Sequence, residues 1–174
     1  LDDRALLRHF VDWGMAEGRE SSASFDAASY YNANPDVRAA FGTDVRALTM
    51  HYVSYGQREG RACAGVPELR GHASSRGGLS YAAVYDGARY AQANPDVVAA
   101  CTVRRGHASL LDDRALLRHF VDWGMAEGRE SSDGFDVHAY RARYADLRAA
   151  YGSDLRAYYM HYVNYGQREG RDAA

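Results

Sequence analysis

Four histidines recur at one place in the sequence, His9, His51, His119 and His161, and a glutamate follows each after eight residues: Glu17, Glu59, Glu127 and Glu169. Imidazole and carboxylate are side chains that ligate zinc or pass protons, and two helical turns could set such a pair on one face. A glycine lies between the two partners every time and breaks that register. A metal also needs several ligands converging within about 2.0–2.2 Å of one ion. One histidine per segment leaves the four well apart. The expectation is a structural imidazole that bonds a neighbouring backbone or the aspartate of the next segment. The adjacent carboxylates Asp2-Asp3 and Asp112-Asp113 project about 100° apart on a helix, which suits a capped first turn and not a glycosidase pair. No Ser or Cys has a nucleophile-elbow setting, and no glycine-rich phosphate loop is present. The sequence predicts a non-catalytic chain with no metal and no cofactor.

Two insertions carry the remaining chemistry. Residues 62–84 and 102–109 interrupt the pattern of the rest, and both contain RGHAS. They hold Arg70, His72, Arg76, Arg104, Arg105 and His107, with Tyr81 and Tyr85 close by. Loops on a rigid scaffold are where binding residues concentrate, so these eight are the candidate binding residues. Such a surface, basic and aromatic on a chain of net charge −2, suits an acidic or carbohydrate-bearing partner. The competing reading is a pair of solvated linkers. Each insertion begins beside one of the two cysteines, Cys63 and Cys101. A disulfide between them would anchor both insertions and contribute roughly 4 kcal/mol by the chain-entropy model. Left reduced, Cys101 is a small core residue that aligns with Phe41 and Tyr151.

The elements that must position these side chains follow from internal repetition. Residues 1–22 and 111–132 are identical, LDDRALLRHFVDWGMAEGRESS. The segment 48–61 is a diverged version of 6–19, and 158–171 is another. Upstream blocks begin at Phe25, Tyr85 and Phe135, each aromatic followed by aspartate. A terminal half-repeat (1–19) thus precedes three full repeats at 25–61, 85–129 and 135–171. Within a repeat Asp26 caps a first helix, Asn34-Pro35-Asp36 ends it and opens a second, Gly42 stops that, and Asp44 caps the longest. Expected helices are 2–13, 26–33, 35–41, 44–55, 86–93, 95–101, 112–123, 136–143, 146–151 and 154–165. Leu6, Phe10 and Val11 share one face at period 3.6 and should be buried, as should Leu116, Phe120 and Val121. Arg19, Arg61, Arg129 and Arg171 should pair with a carboxylate of the adjoining repeat, such as Asp26 or Asp36. There is no convincing period-2 run. The expected fold is all-α, a compact array of tandem helical repeats of about 40 residues whose neighbours share a core. The sequence divides as 1–61, an insertion at 62–84, and 85–174.

The aromatic–Asp start, the tyrosine five residues on, NPDV-x-AA and the H-[FY]-V-x-[WY]-G-x-x-EGR close resemble tandem helical repeats of secreted and surface-attached bacterial proteins. The block at 135–154 departs, with Arg143-Tyr144-Ala145-Asp146 in place of N-A-N-P-D. The resemblance implies an extracytoplasmic location, in a fragment of a larger protein, and a binding or spacing role. All 21 basic residues are arginine, and there are 14 tyrosines. Both types are enriched at interface hot spots. The net charge of −2 argues against nucleic acid, and no apolar run is long enough to enter a membrane. The expected function is recognition of a host or cell-surface protein or glycan, an immunoglobulin being one conceivable partner. The alternative is a spacer or cell-wall-attachment repeat with no specific ligand.

Overall fold

The computed structural model describes residues 2–19, 22 and 24–174 and is mostly helical, at 55% helix. Aspartates cap six of the described helices. The side chain of Asp2 accepts from the Ala5 N–H, Asp26 from Ala28 and Ser29, Asp44 from Ala47, and Asp86 from Arg89. Asp136 and Asp154 do the same for His138, Ala139 and Ala157. Residues 2–19 give Asp3–His9; 25–61 give Ala27–Ala33, Pro35–Phe41 and Val45–His51; 85–129 give Gly87–Ala93, Pro95–Cys101 and Asp113–His119; and 135–171 give Val137–Arg143, Ala145–Tyr151 and Leu155–His161. Pro35 and Pro95 sit at the first helical position, where a missing N–H costs nothing.

The four helices that end at His9, His51, His119 and His161 each run on into one wide turn with hydrogen bonds five residues apart: Phe10–Gly14, Tyr52–Gly56, Phe120–Gly124 and Tyr162–Gly166. The N–H groups of Arg19, Arg61, Arg129 and Arg171 then donate to the carbonyls of those four glycines. That return requires a left-handed residue, which Gly18, Gly60, Gly128 and Gly170 supply at φ of 60–67°.

Two short antiparallel strand pairs correct the all-α expectation. Ser75–Arg76 pairs with Leu79–Ser80, and Thr102–Arg105 with Ala108–Leu111. Glycines at positive φ, Gly77, Gly78 and Gly106, close the two hairpins. The second hairpin occupies the insertion that parts the second and third helices of the middle repeat. With no strand long enough to show alternation, its signal lay in the turn chemistry.

The chain forms two compact units: residues up to 71 with 102–112, and 72–101 with 113–174. The first unit centres on Phe25, Tyr30, Tyr31, Val37, Val45 and Leu48, joined by Ala108 and Leu110 from the second hairpin. The second unit buries Tyr85, Tyr90, Leu116, Phe120, Tyr140 and Tyr159. Leu116, Phe120 and Val121 lie in the core as expected, but their counterparts do not. Leu6 is 51% exposed and Leu7 64%, Val11 is exposed too, and Phe10 is half-buried. In the second unit, aromatic rings of 81–90 pack on Phe120. In the first, the hairpin meets the turn after the helix, where Gly18 lies against Ala108 and the His107 N–H donates to the Glu17 carbonyl.

Candidate functional site

The second hairpin carries three of the singled-out residues. Its alternation turns Ala108 and Leu110 into the core and leaves Arg104, Arg105 and His107 exposed. Arg105 borders an open groove of about 480 Å³ lined by Ala16, Phe41, Thr43, Asp44, Val45 and Arg46. Two arginines and an exposed phenylalanine, Phe41, share this lining, and guanidinium groups take carboxylate or hydroxyl groups by planar hydrogen bonds. Arg70 belongs to the same compact unit and is exposed, with its N–H bonded to the Asn32 carbonyl. Its carbonyl accepts from Arg38, whose buried guanidinium also bonds the carbonyls of Tyr31 and Gly71 and so pins the linker.

The other four are in the second unit and serve its packing. His72 Nδ1 lies 3.2 Å from the Asp113 carboxylate, which also accepts from the Ala73 N–H. Gly87 makes room for that imidazole, since a Cβ there would run into the ring; the other repeats have Ala27 and Val137 at this place. Arg76 pairs with Asp122 at 2.5 Å and holds that carboxyl below its usual range. Tyr81 and Tyr85 are buried beside Phe120, with ring centroids 6.4 and 4.9 Å away. They offer no surface to a ligand.

The disulfide is not formed. Cys63 and Cys101 are free thiols. The Cys63 thiol donates to the Ser24 carbonyl at 3.1 Å and lies 3.4 Å from the Tyr52 hydroxyl, while Cys101 is buried at the end of its helix. Local partners and core packing satisfy each sulfur.

Among the described residues the repeated histidines show no bond to backbone or to the aspartate of the next segment. Three of the four take a tyrosine: Tyr30 and His51 Nδ1 lie 2.8 Å apart, Tyr90 and His119 Nδ1 2.8 Å, and Tyr140 and His161 Nδ1 3.0 Å. Burial pushes the Tyr140 hydroxyl up to about 12, so it stays protonated. On its other side, Nε2 of His161 lies 3.9 Å from the Glu169 carboxylate. Burial lowers the pKa of His161, with Glu169 opposing. The eight-residue His/Glu spacing thus does bring a pair together, within a structural network. The arginines also act inside the repeat. Arg61 meets Asp36 at 2.8 Å, Arg129 meets Asp96 at 2.9 Å and Arg171 meets Asp146 at 2.8 Å, each also holding the glutamate two residues back. These bonds join the second helix to the terminal turn of one repeat, so they set the repeat's own shape and not an angle between repeats. The Arg171 guanidinium holds the Asp146 carboxyl below its usual range. Among the described residues, no group of three or more His, Cys, Asp or Glu could hold a metal ion.

A second candidate surface was missed in the sequence. Trp13, Tyr55, Trp123 and Tyr165 occupy one motif position, just before the glycine of the wide turn, and all four are exposed; both tryptophans stand 63% open. The guanidinium groups of Arg58 and Arg168 lie 5.9 and 5.8 Å from the Tyr55 and Tyr165 ring centroids. The signal in the sequence is the repeated aromatic itself, but each lies seven residues after Leu6, Leu48, Leu116 or Tyr158, where a regular helix would set it on the period-3.6 stripe. It was obscured because the wide turn shifts the phase, and an aromatic in an apolar run reads as core. No helix is long and apolar enough to cross a membrane among the described residues. No protein-family model, curated protein or solved structure matches the chain.

Proposed function

We propose that this chain is a non-catalytic binding module of a secreted or surface-attached bacterial protein, built from tandem helical repeats, that recognises an acidic or carbohydrate-bearing surface. The observation that carries this reading is the outward aromatic at one position of all four repeats, Trp13, Tyr55, Trp123 and Tyr165. Isolated exposed aromatics are common and mean little. Here the same turn holds each ring out, while Tyr30, Tyr90 and Tyr140 of the same repeats are fully buried. Ring faces stack on sugars and apolar side chains at small entropic cost, having few rotatable bonds. The arginines beside them, and Arg104 and Arg105 on the hairpin, add donors for carboxylates.

The test is a binding screen of the immobilised chain against neutral and carboxylated glycans and against cell-surface and serum proteins, immunoglobulin included. The expected result is at least one saturable partner whose affinity falls at least about tenfold in Trp13→Ala/Trp123→Ala, or in Arg104→Ser/Arg105→Ser, a loss of about 1.4 kcal/mol. These side chains are exposed, so the fold should survive. A screen without a partner, or a partner indifferent to both variants, favours the spacer role instead.

A further inference from the structure

Residues 2–19 and 112–129 share one sequence and one backbone course, yet only the second is covered. What covers it is specific. Tyr85 and Tyr90 pack on the Phe120 ring at centroid distances of 4.9 and 5.4 Å. The Tyr90 hydroxyl reaches His119 Nδ1 at 2.8 Å and rests against Gly124, where a Cβ would collide with it. The same seat exists twice more: Tyr30 rests against Gly56 and bonds His51, and Tyr140 rests against Gly166 and bonds His161. At Gly14 the nearest atoms are those of its own Phe10, and among the described residues no tyrosine bonds His9, which is exposed. Around this seat Leu6, Leu7 and Val11 open a contiguous helical face whose twins Leu116, Leu117 and Val121 are buried.

From this we infer that the open face of residues 3–14 is a docking site for a helical segment of the aromatic–Asp–x–x–x–Tyr kind, supplied by another module or molecule. The ligand's chemistry is that of 85–94: an aromatic to lie on Phe10, a capping aspartate, and a tyrosine whose hydroxyl reaches His9 past Gly14. Identical acceptor surfaces have identical complements, and the complement of this one is on the page in the second unit. Within one chain the three such segments, with Tyr30, Tyr90 and Tyr140, already sit on their own acceptors, so exchange between two copies fills no additional seat. The occupant therefore carries an unspent segment. The inference goes beyond the proposed ligand recognition and stands whether or not the exposed rings bind a glycan.

Two experiments test it. The first titrates the 174-residue chain with a synthetic peptide of residues 79–101 carrying Cys101→Ser. The second joins the same segment, followed by Gly-Thr as at 42–43, ahead of Asp2, which replaces peptide ordering by a high effective concentration. The expected results are saturable one-to-one binding, weakened at least about tenfold by Tyr90→Ala in the peptide or Leu7→Asp in the chain, and amide exchange at 5–14 slowed at least tenfold in the joined chain. The surface residue Leu7 leaves the fold intact when changed. Amide exchange at 5–14 unaltered in the joined chain overturns the proposal, whatever the peptide does. So does a chain that dimerises alone in sedimentation and is made monomeric by Leu7→Asp, because the face then pairs with a second copy of itself.

Discussion

Residues 2–19 and 112–129 are a controlled experiment within one molecule. Both copies make a helix from the aspartate, a wide turn from the phenylalanine to the glycine, and a left-handed glycine, Gly18 or Gly128. Leu6 is 51% exposed and Leu116 not at all. Asp3 is exposed, while Asp113 is buried on His72 and the Ala73 N–H. Phe120 is ringed by Tyr81, Tyr85, Tyr90 and Tyr159, and Phe10 has no ring neighbour of this kind among the described residues. The difference teaches that the amphipathic stripe of this helix is an offer of burial. Acceptance depends on which segment is laid over it.

Substitutions made in parallel at the two copies can break that comparison. The largest effect belongs to the phenylalanines. Phe120→Ala should destabilise by about 3–5 kcal/mol and Phe10→Ala by no more than about 1, read from urea or thermal unfolding. Equal losses would mean that the first copy is covered in solution. Next come the glycines. Gly124→Ala pushes a methyl into the Tyr90 hydroxyl and should cost about 1–3 kcal/mol, whereas at Gly14 only the half-buried Phe10 ring must give way, for a smaller loss.

A smaller effect belongs to His161, the histidine that holds Tyr140. Burial lowers the folded-state pKa of His161, so the unfolded chain binds its proton more readily. The sign follows: this contribution is complete above the unfolded value near 6.5 and is lost as pH falls below it. Unfolding midpoints between pH 7.5 and 5 should decline, and His161→Gln should flatten part of the decline. Stability rising on acidification through that window would contradict the assignment. The smallest difference concerns the tryptophans. Because Trp13 and Trp123 are equally open, Trp13→Phe and Trp123→Phe should leave a residual fluorescence quenched by acrylamide to nearly the same extent. Strong shielding of either ring would show that the two copies differ on their outer side as well.

Much of the helical frame was legible because its causes are local. Capping aspartates, Asn-Pro turns and glycines at helix ends act within a few residues, and the expected helices at 26–33, 35–41, 86–93, 95–101 and 136–143 fall on the observed ones. The hairpins were not legible, because two- and four-residue strands show too little alternation. The candidate surface was legible in part. Arg70, Arg104, Arg105 and His107 are exposed as loop residues should be. Tyr81, Tyr85 and His72 turned inward, since an aromatic or an imidazole near an apolar cluster gains more from the core than from water.

The sequence by itself determined what each stretch of twenty residues would do alone: where a helix starts, which residues form its stripe, where glycine lets the chain turn back. These are short-range matters of dihedral angles and nearby hydrogen bonds, so two identical stretches answer them identically. Only the tertiary structure decided that Leu116 is core and Leu6 surface, that Asp113 is bonded to a distant histidine and that both cysteines stay reduced. Burial is a property of a contact between segments, and a segment's own residues specify only half of it.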